Sequence, residues 1–253
     1  MKKKKSTKSK STLPKPKHPP FKLSGAALKW IAVLSMLIDH SKKTLFEAWL
    51  IPMNLAAGSK MFTRGDLILY KFLDGVGKLA FPIFCFLLAE GFFHTRDRKK
   101  YMLRLLLFGL ISELPFDYVL FGGLSWARQN VYFTLFLGLL GLCGIDKFRK
   151  NPPCCLGVAV VVMALGELSR TDYGCVGVAV ILLFGLLRNR EILRNLTTGL
   201  CILGVGSIEI VSWLDFILFH FYSGERGSQN KYFFYAFYPG HLALLWLIRS
   251  LVL

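Results

Sequence analysis

GKLAFPIFCFLLAEGFFHTRDRKKYMLRL, residues 77–105, decides the fold. Between Lys78 and His94 its first part is apolar except for Glu90, and Arg96, Arg98, Lys99, Lys100 and Arg104 then follow within nine residues. The apolar run 76–94 approaches the ~20 residues that cross a bilayer core. A basic cluster just beyond such a run is what a crossing helix carries at its cytoplasmic end. Working outward, similar runs lie at 23–41, 102–120, 130–146, 154–170, 174–187, 196–222 and 232–251. The run 174–187 is short, and 196–222 is long enough to be broken. None alternates with a period of two, which argues against a β-barrel. The expected fold is all-α, a polytopic integral membrane bundle of about eight transmembrane helices.

Composition agrees. The 253 residues are 54% hydrophobic, yet the formal charge is +17. A soluble fold of this size rarely has so little polar surface, and disorder is excluded for most of the length. Charge alone suits a nucleic-acid binder, so its location decides. Residues 1–22 are rich in lysine, and Pro14, Pro16, Pro19 and Pro20 oppose a helix there. They read as a disordered cytoplasmic arm on anionic lipid, with 23–253 as the transmembrane domain. The arm lacks the interleaved aromatics of a nucleic-acid platform, so no nucleic-acid partner is expected. With the N-terminus inside, inner segments hold roughly twice as many cations as outer ones. That assignment places both termini in the cytoplasm, Arg249 inside, and Arg226 and Lys231 outside. Residues 42–75 become an outer loop, with 45–55 (LFEAWLIPMNL) as an interfacial helix. The six cysteines show no CxxC spacing, so neither a metal site nor a disulfide framework is expected.

Ionisable residues at membrane depth are costly and lean towards function. Asp39 and His40 close the first span. Glu113, Asp117, Asn130 and Asp172 fall towards the same outer layer, and His241 points at it from the last span. A histidine beside a carboxylate in apolar surroundings suits general-base chemistry. The competing interpretation is that these groups pair with one another to hold helices together. Glu90 and His94 share a helix face at the inner end. They and the following cations form either an ion-paired helix end or a mouth for a phosphate-bearing cofactor. Pro82, Pro115 and Pro239 are expected to kink three spans around a cavity. Glu209 and Asp215 lie in the seventh run without an assigned partner. The glycines at 138, 141, 144, 174 and 177 suit close helix packing.

The segments LKWIAVLSMLIDH (28–40), AFPIF (80–84), ISELPFD (111–117), QNVYFTL (129–135), DYGCVGV (172–178) and FYPGHL (237–242), in that order, resemble the TraX family of membrane proteins. The resemblance covers nearly all of the chain beyond residue 25. It implies a multi-pass protein of the bacterial cytoplasmic membrane that transfers acetyl from acetyl-coenzyme A. The family's name-giving member acetylates the N-terminal amine of conjugative pilin. By position, Asp39 and His40 match the family's DH motif and His241 its terminal histidine motif. These three are the implied catalytic residues. His94, Arg96, Arg98, Lys99, Lys100 and Arg104 are the expected cofactor-binding residues. The acceptor is a peptide, pilin-like protein or glycan presenting an amine or hydroxyl outside the cytoplasm. The alternative is a non-enzymatic transporter or assembly factor. Absence of a repeated half weighs against a transporter.

Overall fold

The computed structural model describes residues 22–47, 64–203 and 213–252. The arm 1–21, most of the expected interfacial helix and Glu209 lie outside them. Ten α-helices account for most of the described chain: α1 (Gly25–Ser41), α2 (Arg64–Lys78), α3 (Ala80–His94), α4 (Arg98–Phe121), α5 (Val131–Lys147), α6 (Pro152–Leu168), α7 (Gly174–Leu186), α8 (Glu191–Leu203), α9 (Leu214–His220) and α10 (Lys231–Val252). A π-helical turn, Lys42–Phe46, extends α1. No strand forms among the described residues. The all-α expectation holds.

Local chemistry sets the helix starts. Ser24, Asp97, Asn130 and Asn151 each accept a hydrogen bond from a first-turn backbone N–H of α1, α4, α5 and α6 respectively. The Lys100 N–H holds the exposed Asp97 carboxyl below the usual range. Prolines act at the other level. Pro82 does not kink the middle of a span. Its ring opposes the carbonyl four residues back, at Lys78, and the helix breaks at Leu79 between α2 and α3. Pro115 and Pro239 do lie inside helices. Pro239 cannot donate to the Tyr235 carbonyl, which instead accepts from the Tyr132 hydroxyl at 3.2 Å.

Helix directions follow from contacts at two ends of the bundle. At one end, Leu23 bridges Tyr222, Glu90 pairs with Arg188, and Arg98 pairs with Asp146. Lys147 ends α5, and Arg149 and Lys150 follow it, at this basic end. At the opposite end lie His40, Glu113, Asn130 and Asp172. α1 leaves the basic end, and α2–α3 return to it as nearly continuous helix. α4, α5, α6 and α7 then alternate. Small residues let them approach closely. A Cβ on Gly138 of α5 would come within 2.5 Å of Ile181 on α7, and one on Gly77 within 2.7 Å of the Asp39 Cβ.

The directions correct three expectations. The run 196–222 is not one crossing. α8 starts at the basic end, and α9 finishes there, where His220 meets Glu191 at 3.1 Å. Consequently α10 runs parallel to α1, with Lys29 bonded to Gln229 at their starts and His40 to His241 further along. The two ends of the helical domain therefore lie at opposite ends of the bundle, not on one side. Arg226 and the start of α10 join the basic end, whereas Arg249 leaves it. The segment 42–75 is not simply a loop, because α2 fills its second half.

One nearly continuous helical stretch, Arg64–His94, is long and apolar enough to cross a membrane, with an 18-residue window of mean hydropathy 1.7. By that measure of length and composition the count among the described residues is one, not about eight.

Candidate functional site

α1 and α10 bring His40 and His241 together. The His40 Nδ1 lies 2.7 Å from the His241 Nε2, and both side chains are buried. The second ring is fixed from behind, with its Nδ1 2.8 Å from the Phe237 carbonyl. A carbonyl only accepts, so the His241 Nδ1 carries the hydrogen. In a neutral pair its Nε2 must then accept from the His40 Nδ1–H. The lone pair on the His40 Nε2 is left unused by this chain of bonds. Rings pack around the pair: Phe237 stacks on His241, and Tyr238 meets both histidines edge-on.

The sequence expectation put a carboxylate beside this base, and the structure puts a second imidazole there. The Asp39 carboxylate instead accepts from the Lys43 Nζ at 2.6 Å, one turn along. Aspartate and histidine are successive residues on α1, so their side chains diverge by about 100°. The expected approach of His241 occurs although its helix runs the opposite way.

His40, but not His241, lines a cavity of about 1140 Å³. Its mouth, at the end away from the basic cluster, is ringed by ion pairs. Lys42 joins Asp74, which also binds Lys78 at 2.5 Å, and Arg128 reaches Asp172 at 3.5 Å. Inward, the wall becomes apolar, through Pro82, Phe84, Val180 and Ile202. Tyr173 stacks on Phe81 between these zones. Asp172 sits in the turn between α6 and α7. Burial pushes its carboxyl above the usual range, although Lys43 and Arg128 pull it down.

Other expected site residues serve the frame. Glu113 accepts from the backbone N–H of Asn130 at 3.2 Å and from its side-chain amide, while that amide also donates to the Gly109 carbonyl at 2.8 Å. This ties α4 to the start of α5. Asp117 accepts from the Ser125 N–H at 3.0 Å and holds the connecting loop. Glu90 accepts two hydrogen bonds from Arg188, at 2.6 and 2.9 Å, and the His94 Nδ1 lies 2.8 Å from the Glu90 carbonyl. Arg98 binds Asp146 at 2.6 Å and Lys100 meets Asp97 at 3.3 Å. Arg104 lies over Tyr101 and Tyr235. Arg96 and Lys99 are exposed and have no carboxylate partner among the described residues. The whole cluster lies at the basic end, separated from His40 by most of the ~25 Å length of a 17-residue helix.

Sequence reasoning missed Lys42, Asp74, Arg128, Tyr173 and Tyr238 as cavity residues. For Tyr173 a signal existed in the DYG segment. Lys42 and Asp74 looked like loop charges. Asp215 is wholly buried with neither carboxylate oxygen partnered among the described residues.

Comparison with known proteins places the chain in a family. No solved structure matches the chain. It is 29% identical over 249 residues to the probable fimbrial assembly protein FimC, serogroup H1, of Dichelobacter nodosus, across 88% of this chain and 94% of that one. Residues 24–249 match the family described as TraX protein, and the chain therefore belongs to the TraX family.

Proposed function

We propose that this protein is a multi-pass acetyltransferase of the bacterial cytoplasmic membrane, with His40 as its general base. The observation that carries this reading is the buried His40–His241 pair at the wall of a large cavity. A fixed tautomer that leaves the His40 Nε2 lone pair free is what a histidine needs to take a proton from an attacking amine or hydroxyl. The acceptor, an N-terminal amine of a pilin-like peptide or a glycan hydroxyl, attacks the acetyl thioester carbon. Its proton passes to the His40 Nε2, the carbon–sulfur bond breaks, and the imidazolium returns the proton to the leaving thiolate. The products are the acetylated acceptor and free coenzyme A.

Membrane insertion accounts for the exterior of the bundle. Leu103, Leu107, Leu110 and Leu114 form an exposed stripe on α4, and Leu156, Val160 and Val161 do so on α6. Such surface suits lipid rather than water. Placing the basic end in the cytoplasm obeys the positive-inside rule, and moving Arg226 and Lys231 to that end strengthens it. The cavity then opens on the outer side, where the acceptor lies. Acetyl-coenzyme A, made in the cytoplasm, meets the protein at the end bearing Arg96 and Lys99, and its acetyl thioester arm must extend inward to His40, where attack and thiolate release both occur.

A second reading has its own support: the Dichelobacter relative is called an assembly protein, and a non-enzymatic role in fimbrial assembly would need no turnover. Proteoliposomes containing the full chain discriminate. Acetyl-coenzyme A is supplied on the side of the basic end, and a pilin-type N-terminal peptide on the other. The enzyme reading predicts acetylated peptide by mass spectrometry, with equimolar coenzyme A released. Unmodified peptide in the presence of folded protein favours assembly.

A further inference from the structure

The ionic groups of the cavity almost cancel. Among its lining residues, four carboxylates face five cations. Asp74 takes Lys42 and Lys78, Asp39 takes Lys43, and Asp172 takes Arg128. The fourth carboxylate, Glu47, lies 4.0 Å from Lys42 and accepts from the Tyr70 hydroxyl. The surplus cation is Arg249. Its Nη1 donates to the Val119 carbonyl at 3.2 Å, and it has no carboxylate partner among the described residues. A partly buried guanidinium has five donors in a planar fork, and one carbonyl satisfies only one of them.

We propose that Arg249 is the anchor for an oxyanion, a carboxylate or phosphate, on the ligand that fills this cavity. The remaining donors match such a group bidentately. Among the described lining residues the neighbouring pairs leave it as the one cation free to do so, and a neutral or cationic ligand would leave its charge uncompensated. Position sets the size of the ligand. Arg249 is eight residues beyond His241 on α10, about 12 Å of helical rise. An extended tetrapeptide spans about 13 Å. A ligand whose amine approaches His40 while its anion rests on Arg249 is therefore several residues long, not a lone acetate. The inference deepens the acetyltransferase reading, but it is read out by binding, without turnover.

The test uses the purified full-length protein in lipid nanodiscs and three probes: tetra-alanine, its C-terminal amide, and coenzyme A. Gln at 249 keeps a donor for the Val119 carbonyl while removing the charge, so Arg249→Gln is the variant, with Arg249→Lys beside it. Thermal melting establishes that each is folded. The wild type is expected to bind an anionic probe at least ten times more tightly than Arg249→Gln does, with Arg249→Lys between them. If tetra-alanine shows the loss and its amide shows none, the anion is an acceptor carboxylate. If coenzyme A shows it, the anion is a phosphate of the donor, and the donor then enters at the cavity end and not at Arg96 and Lys99. Equal affinities of wild type and Arg249→Gln for all probes, or no binding of any anionic probe by the wild type, overturn the proposal. Loss of anion binding alongside absent acetyl transfer would retain it and reject the enzyme reading.

Discussion

The two ends of the bundle use similar residues for different ends. At the basic end, Glu90, Arg188, Arg98 and Asp146 close on one another, and the ion pairs fasten α3 to the end of α7 and α4 to α5. At the cavity end, ion pairs ring an opening and leave His40, backed by His241, and a surplus arginine facing inward. Charge at helix ends therefore says little by itself. What separates a fastening from a site is whether partners consume the hydrogen-bonding capacity of each group. Glu90 has its capacity used, while His40 and Arg249 keep some in reserve.

The contrast can be broken most completely by topology. In a background lacking the six native cysteines, Ser228→Cys and Ser250→Cys should react with an impermeant thiol reagent from opposite sides of the membrane. Labelling of both from one side would restore the crossing count inferred from sequence and undo the assignment of ends. Next comes the histidine pair. His241→Ala removes the acceptor that orients His40, and coenzyme A release should fall by about 10²-fold, within the range of general-base contributions. His241→Gln, which can still accept, should recover part of it.

The basic end should respond in stability instead. Glu90→Ala strands Arg188, and the fold should lose on the order of 2 kcal/mol, less than for a fully buried pair because the Arg188 side chain is 36% exposed. Coenzyme A release per folded molecule should not change; if it falls as far as in His241→Ala, the distinction between the two ends fails. The smallest effect is expected at Tyr132→Phe. Loss of its hydroxyl leaves the Tyr235 carbonyl unpartnered beside Pro239, at about 1 kcal/mol in thermal or denaturant melts.

Much of this was legible in the chain, for identifiable reasons. Apolar runs bounded by cations marked the helices, because burial and charge placement act residue by residue. The IDH and YPGH segments pointed to His40 and His241, since ionisable groups in apolar runs need a purpose. Direction was harder. The run 196–222 has the composition of a single long span, and nothing local states that α8 and α9 begin and end at the same place. That one error reversed the last helix and moved Arg226 and Arg249 to the wrong ends. The partner of His40 was also beyond local reasoning. Asp39 is adjacent in sequence, but a 100° turn per residue points it elsewhere. Pairings such as Lys42 with Asp74 join segments whose proximity is a product of the fold.

The central claim is that the reactive centre lies at His40 in the cavity and not at the basic cluster. Acetyl transfer by folded His40→Ala protein, beside wild type and an Arg96→Ala/Lys99→Ala double variant, addresses it most directly, with coenzyme A release as the readout. The account predicts loss of at least 10²-fold in His40→Ala at any donor concentration. The double variant should keep its maximal rate and need more donor. Wild-type turnover in His40→Ala would contradict the account.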